Sequence, residues 1–482
     1  MSSFRSTIAA FGLLASLIAG REPAAAQDLK MPTALRPDIR IAHVMTVEPE
    51  AVRILLNPVD GKLYYTTFPG DVFEITGFDG NGPVARKVLS LADHGINRLQ
   101  GAAFHKNTLF LTGNVDANNK KGTKGRMVSF TNRRGKYKMT VIFDTEEYPT
   151  NKTTFDHGWN ALEISPDGKY IFVNSGARTD HGEVQDNGGA YPNARDNGLT
   201  SKVFRFPIKA HDLMLSPDEA RLKQQGYIYA DGIRNAYDIA FDAEGNLFGV
   251  SNSSDYDHGE DMFWIREGRH YGFPWVMGGI DNPQQFADWQ PDPVKDPFIP
   301  RSSHAFLMKY MHNDPGFPKR PEGVTFSPAV QNLGPDANEY RDRQTGKIMD
   351  GDTTGVTTST FTAHCSPLAL FFDTRKILAD DLKGDGFVMR YSGGARSGMM
   401  RPFTTQGRDL LHLDLTYDKG KDNYTVKTKR IVEGFTGPTD AVLVGSDVYI
   451  IEYGGREGGH LWRISLPTES NVSSKNGRKN TL

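Results

Sequence analysis

Cysteine is nearly absent: Cys365 is the one such residue in a chain of 482. A single thiol excludes an internal disulfide, a cysteine-rich zinc module and a thiolate-held iron–sulfur cluster. No Cys-x-x-Cys-His segment exists, so no covalent c-type haem is built in. Cys365 itself reads as a small buried apolar residue. A dominant charge is also missing. Lys and Arg number 56 against 58 Asp and Glu, a net charge of −2, which disfavours a general nucleic-acid or anionic-membrane binder. Beyond the N-terminus no apolar stretch approaches the ~18 residues of a membrane span, and helical patterning is scarce. Glycine, in contrast, is abundant: 50 residues, beside 27 prolines, well above the usual ~7% for glycine. That surplus implies many turns and therefore many short strands.

The first residues read as an address. Arg5 gives a positive start, Thr7 to Gly20 is apolar, and Ala24-Ala25-Ala26 offers a small-residue cleavage site. Residues 1–26 are expected to be a signal peptide, with a mature start near Gln27. Arg21 and Glu22 follow the apolar run at once, which argues against an uncleaved anchor. The expected location is periplasmic or secreted.

One pattern then recurs: a short apolar strand, a turn with Gly or Asp, and a second apolar strand. It begins at Val52 (VRILLNPVDGKLYYTT), Gln100, Asn160, Tyr237, Leu368 and Thr439. The turns carry Asp-Gly, Glu-Gly or Gly-Ser, which are hairpin signals. The starts lie 48, 60, 77, 131 and 71 residues apart, spacings that fit blades with variable loops. Six copies predict an all-β fold: a six-bladed β-propeller of four-stranded antiparallel blades over 38–466. The spacing of 131 marks an insertion, about 275–360, rich in Pro, Asp and Asn. Long excursions of this kind often carry function. The best helix is Ser216 to Gln225, with Ser216 as N-cap, Pro217 at N1 and Glu219 at N3. It reads as a surface decoration. The polar, basic tail, 467–482, is expected to be disordered.

In a propeller the inner strands surround one axis, so the residues just before them crowd a common mouth. Those positions hold Asn97 and Arg98, Asp156, His157 and Trp159, Arg234 and Asn235, His364, and Pro438 and Thr439. A ring of His, Arg, Asn and Asp predicts a concave polar site.

These segments resemble the soluble pyrroloquinoline quinone (PQQ) sugar dehydrogenases, the glucose/sorbosone dehydrogenase family. The resemblance spans about Ile39 to Ser465. It is carried by Asp156-His157-Gly158-Trp159-Asn160-Ala161-Leu162 with Pro166-Asp167-Gly168, by Gly232-Ile233-Arg234-Asn235 with Ile239-Ala240-Phe241, and by Gly268-Arg269-His270-Tyr271-Gly272-Phe273-Pro274-Trp275. The run from His364 to Leu370 is similar to a later family segment.

The resemblance implies an exported oxidoreductase that oxidises the anomeric carbon of an aldose or related sugar aldehyde, with hydride transfer to PQQ. It implies His157 as general base, a role that suits a neutral imidazole. Asp156 either raises the pKa of His157 or holds a turn. Arg234 and Asn235 are implied contacts for quinone oxygens and carboxylates, a task suited to a guanidinium. The family also uses calcium, which wants hard oxygens. The loop Ser251 to Asp261 is the natural place, with Asn252, Ser253 and Asp255 as ligand candidates. Its other reading is a solvated acidic turn. A second oxygen-rich loop, Asp180 to Asn197, reads as solvated or as a structural calcium site. Electrons would pass on to a soluble or membrane acceptor.

The sequence also departs from the family. Gly176-Ala177 stands where the family has Gly-Asp. Gly437-Pro438-Thr439-Asp440 stands where some members place two arginines. Arg390, Arg396 or Arg401 are the candidate substitutes. Two alternatives follow: a propeller that binds a saccharide or other ligand without redox chemistry, or a calcium-dependent lactonase-type hydrolase. The last needs several axial carboxylates, whereas the strand starts here offer His and Arg. His304 and His312, in the insertion, read as surface or structural residues.

Overall fold

Short stretches of alternating apolar residues, punctuated by glycine turns, fold as strands along nearly the whole chain. The computed structural model describes residues 29–78, 82–117, 121–191, 194–391, 402–404 and 407–469. The expected signal peptide, Arg396, Arg401 and the tail from residue 470 lie outside the described residues.

Among the described residues six blades of antiparallel strands surround one axis, with Leu213–Leu215 and Gln331–Pro335 added in parallel to the outer strands of two of them and two small hairpins outside the ring. Blade 1 is Ala51–Leu56, Leu63–Thr67, Val72–Thr76 and Val84–Leu89. Blade 2 runs from Arg98–His105 through Thr108–Asp116 and Gly122–Arg133 to Lys136–Thr145. Blade 3 comprises Trp159–Ile164, Tyr170–Ser175, Lys202–Pro207 and Ile228–Asp231. Blade 4 has Ala236–Phe241, Leu247–Ser251 and Asp261–Ile265. Blade 5 is Pro367–Phe372, Gly386–Arg390, Asp409–Asp418 and Asn423–Glu433. Blade 6 takes Pro438–Val444, Asp447–Glu452 and Gly459–Ser465, and its outer strand, Arg40–Val47, comes from the other end of the chain. Arg40 pairs with Ser465 and Val47 with Gly459. The ring thus closes by backbone hydrogen bonds, leaving no open sheet edge at the seam. The inner strands contact one another in chain order, and blade 6 returns to blade 1.

Every inner strand carries a register shift near its start, between Ala51 and Arg53, Leu99 and Gly101, Trp159 and Leu162, Ala236 and Asp238, Pro367 and Ala369, and Pro438 and Asp440. The six repeat starts lie within these shifts. A bulge bends a strand and re-aims its side chains, and here it does so six times around one axis. Apolar clusters fill the spaces between blades. Trp159, Phe143, Phe204 and Phe206 pack together at blades 2 and 3. Trp462 packs with Phe387 and Met389 at blades 5 and 6.

Blade 4 has three strands, and the insertion covers its outer edge. The Val330 amide donates to Met262 O at 2.8 Å, and Thr360 Oγ1 accepts from the Met262 amide at 2.8 Å. The insertion also packs Phe298, Ile299, Ala305, Tyr310 and Met311 onto Phe155 and Tyr256. Phe155 immediately precedes the blade 3 mouth residues, so the insertion sits over the face where the inner strands begin.

The helix expected over Ser216–Gln225 is Glu219–Gln224, and its N-cap is Asp218, not Ser216. The Asp218 carboxylate accepts from the Ala220 and Arg221 amides, an acceptor carrying full charge at the positive helix end. The helix is anchored rather than decorative, because Leu222 is buried in the blade 3 core. Among the described residues no helix is long and apolar enough to cross a membrane.

Candidate functional site

The loop before blade 3 delivers His157. Its Nδ1 lies 3.1 Å from Ala177 O. A carbonyl only accepts, so Nδ1 carries the proton and Nε2 is left as the basic nitrogen. The residue is partly buried. Gly176 lets the neighbouring blade approach: a Cβ there would lie 2.6 Å from both His157 Cβ and Asn235 Oδ1. Burial, and then the Arg234 guanidinium, push His157 down to about 3. Asp156 does act to raise this pKa, as one of its two expected roles, but burial and Arg234 outweigh it. Asp156 is buried and paired with Arg178, with Arg98 Nη1 3.6 Å away, so its charge is answered elsewhere.

Two pH effects follow. With its pKa at about 3, His157 is neutral throughout the ordinary range, so any rate that depends on its unprotonated Nε2 is expected to stay flat from about pH 5 to 8, where a free imidazole would show an acid limb near 6.5. The stability effect has the opposite visibility. Between about 3 and 6.5 the unfolded state binds the extra proton. This residue's contribution is therefore present above 6.5 and is lost as the pH falls toward 3. Rate and melting profiles of the wild type and His157→Asn check both statements.

The Gly-x-Arg-Asn turn before blade 4 supplies the other two residues. Arg234 is buried, and its donors are largely committed. Nε donates to Asp180 O and Nη2 to Asp180 Oδ1, each at 2.9 Å, while Nη1 donates to Asn252 O at 3.0 Å. Burial opposes ionisation of Asp180, but His181 and Arg234 hold its carboxyl down at about 2. Asn235 belongs to an amide chain that crosses three blades. Asn174 Nδ2 donates to Asn160 Oδ1 at 2.8 Å, and Asn160 Nδ2 to Asn235 Oδ1 at 2.8 Å. Asn235 Nδ2 then donates to Asn252 Oδ1 at 3.2 Å, and Asn252 Nδ2 to Pro367 O at 2.9 Å.

The structure therefore brings His157, Arg234, Asn235 and Asn252 together. His364 joins the same face with its Nε2 2.8 Å from Asp257 Oδ1, and Arg341 Nε donates to the other Asp257 oxygen at 2.6 Å. Thr439 is part of the wall instead, because its hydroxyl donates to Ala51 O at 3.1 Å and ties blade 6 to blade 1. Arg390 is fully buried in the second strand of blade 5. Its Nε and Nη2 fork onto Asp409 at 2.9 and 2.6 Å, so the structure commits it to Asp409 rather than to the mouth.

Much of both oxygen-rich loops is buried, against the solvated reading that each had as one of its two, although Gly188, Gly189 and Ala190 are exposed. Asp180, His181, Glu183 and Gln185 in one, and Ser254, Asp257, His258 and Glu260 in the other, are buried. The calcium candidates turn inward. Asn252 O accepts from Arg234, so a cation there would face a fixed guanidinium. Asn252 Oδ1 takes the Asn235 amide, and Asp255 Oδ2 takes the Ala305 amide at 2.9 Å. Ser253 Oγ is buried without a hydrogen-bond partner. Among the described residues no group of three or more His, Cys, Asp or Glu side chains is arranged to hold a metal ion. This donor set does not fit calcium. Cys365 is buried, and burial pushes its thiol up to about 12, which leaves it unreactive.

Sequence reasoning missed Asp180, the residue that fixes Arg234. Its one signal was its place in an oxygen-rich loop just after the Gly176-Ala177 departure.

A six-bladed propeller with a histidine, an arginine and an amide chain at one axial mouth is a closed ring scaffold with a polar site on its axis. The glucose/sorbosone dehydrogenase family model matches residues 49–297, and the chain belongs to that family. No curated protein matches the chain. Among solved structures it is similar to the holo form of the pyranose dehydrogenase PQQ domain from Coprinopsis cinerea. That match has 14% identity and a TM-score of 0.54, and covers 92% of this chain and 99% of the other. It is similar also to a glucose dehydrogenase, at 14% identity and a TM-score of 0.53, covering 88% of this chain and 99% of that one. A Trichoderma reesei protein of carbohydrate-active enzyme family AA12 matches with 12% identity and a TM-score of 0.50, over 90% and 97% of the two chains. At such identities the likeness is one of fold.

Proposed function

We propose that the chain is an exported sugar dehydrogenase that oxidises the anomeric carbon of an aldose or related sugar aldehyde with PQQ as the oxidant. The observation that carries this reading is the placement of the His157 ring: Nδ1 lies 3.1 Å from Ala177 O, a contact that assigns the proton to Nδ1 and leaves Nε2 as the basic nitrogen. Bound PQQ would supply the acceptor for the hydride leaving the anomeric carbon.

The chain's own residues do the rest. His157 Nε2 receives the proton of the anomeric hydroxyl as the carbon–oxygen double bond of the lactone forms. The low pKa of His157 ensures that the base is unprotonated when substrate arrives. Arg234 has three N–H donors committed to protein oxygens and two remaining. Those two would face an anionic cofactor, and Asp180 keeps the guanidinium from swinging away. Asn235 is oriented at both ends by amides, so its position is set before anything binds. Calcium is left out of this reading, since Asn252 O, Asn252 Oδ1 and Asp255 Oδ2 already accept from Arg234, Asn235 and Ala305, and the oxygens left, Ser253 Oγ and Asp255 Oδ1, fall short of the roughly six to eight that the ion takes. The electron acceptor is any soluble or membrane carrier outside the cytoplasm.

A test that needs no turnover is titration of PQQ into the purified chain, followed by visible absorption and melting temperature. Saturable binding with a rise in melting temperature is expected, and Arg234→Gln is expected to weaken it at least tenfold. No binding at all would favour the second reading, a propeller that holds a saccharide without redox chemistry. The commitment of Arg390 to Asp409 and the absence of an acidic side chain at Ala177 are the observations on its side.

A further inference from the structure

Away from the axial mouth, the loop that fixes Arg234 has a second face. Asp180 points to the guanidinium, while Gly182 and Arg195 to Asn197 line a separate cavity of about 270 Å³ beside blade 3. One wall is apolar and flat. Trp275 forms it, with Phe273, Pro274 and Pro318 around it. Phe326 stacks on the Trp275 ring at 5.9 Å with planes 10° apart, and the indole N–H donates to Pro318 O at 2.8 Å. The indole is thus held in one orientation.

The rest of the lining is polar and already neutralised. Lys202 Nζ lies 2.9 Å from Asp231 and 3.2 Å from Glu219, and Lys223 also pairs with Glu219. Arg195 is answered by Asp314 at 2.8 Å, and Asp196 Oδ1 accepts from the Arg178 amide at 2.8 Å. Three cations and three anions line the space: Arg195, Lys202 and Lys223 against Asp196, Glu219 and Asp231. No net charge remains to select an ion. Fixed donors and acceptors of both signs remain within reach of an aromatic face, in a volume at the small end for ligand pockets.

We propose that this cavity is a second binding site, for a single neutral polyhydroxylated ring of the pyranose type. The ring's C–H face would lie on Trp275, and its hydroxyls would bridge the lysine and carboxylate pairs. An aromatic cation or a simple anion matches the lining less well, since each would meet an equal number of like charges. The inference does not rest on the redox reading, because it concerns binding alone.

The test uses methyl β-D-glucopyranoside, whose blocked anomeric oxygen prevents oxidation to a lactone, on the full chain without cofactor. The readout is ¹⁹F NMR of protein labelled with 5-fluorotryptophan, the Trp275 signal being assigned by its loss in Trp275→Phe. A saturable shift of the Trp275 signal is expected. Val324→Trp, at an exposed position on the rim, fills the cavity without disturbing the core and is expected to abolish the shift. His157→Ala is expected to leave it intact, which separates this cavity from the axial mouth. No shift of the Trp275 signal up to millimolar glycoside, or a shift that survives Val324→Trp, would overturn the proposal.

Discussion

His157→Ala is expected to lower kcat for sugar oxidation by about 10²- to 10⁴-fold, the usual contribution of a positioned general base. The fold should survive, because the side chain of this partly buried residue makes one hydrogen bond, to a backbone carbonyl. His157→Asn sharpens the test. An asparagine amide still donates to Ala177 O but offers no basic nitrogen. If proton removal is what His157 does, Asn should be nearly as damaging as Ala in kcat, while cofactor binding changes little. If the residue merely shapes the loop, Asn should restore most of the rate. The split between kcat and binding is the deciding readout.

Arg53→Met is expected to cause the largest loss of stability. Arg53 is buried on the inner strand of blade 1, yet its guanidinium reaches across the axis. Nε donates to Gln100 O of blade 2 at 2.7 Å, and Nη2 donates to Tyr237 O of blade 4. Nη1 lies 3.4 Å from Asp440 of blade 6 and 3.5 Å from Asp238 of blade 4. The cation also sits over the Tyr237 ring, 4.5 Å from its centre. The two aspartates in turn accept from blade 1 and blade 5 amides, Ile54 at 2.8 Å and Leu370 at 2.7 Å. One side chain therefore ties four blades to a common centre. Removing one partner of a buried pair costs about 3–5 kcal/mol, because the remaining charge is left uncompensated.

The cost should depend on pH. Burial pushes Asp238 and Asp440 up despite Arg53, and burial holds Glu163, lining the same channel, up at about 8. Without the arginine these acids take up protons more readily, so the loss should be smaller near pH 5 than near pH 8. Urea unfolding at both pH values checks this, and adding Asp238→Asn and Asp440→Asn to Arg53→Met should recover part of the loss. Equal losses at both pH values would show that packing, not charge, is what Arg53 contributes.

Much of the architecture was legible because the propeller repeats itself. The six repeat starts, from Val52 to Thr439, fall at the six bulges, and an apolar hairpin needs only local pattern to be seen. The mouth followed from the same register, which placed His157, Arg234 and His364 on one face. Long-range pairing was not legible. Arg53 looks like an ordinary strand residue until the ring closes and brings Asp440 beside it. The burial of Asp180 to Gln185 depends on the insertion folding over it, and insertion residues such as Tyr310 carry no periodic signal. Arg390 was a reasonable cation by composition, but its partner Asp409 lies on the neighbouring strand, 19 residues on. The strand Arg40–Val47 likewise shows its place only when the far end of the chain returns to it.

The most direct measurement is dye-linked oxidation of an aldose panel by the purified chain with and without added PQQ, with the product identified by mass. The account predicts turnover that requires PQQ, a product two hydrogens lighter than the sugar or its hydrolysed aldonic acid, and loss of that turnover in His157→Asn. Saturable PQQ binding with no oxidation of any sugar, or lactone hydrolysis that proceeds without an electron acceptor, would contradict it.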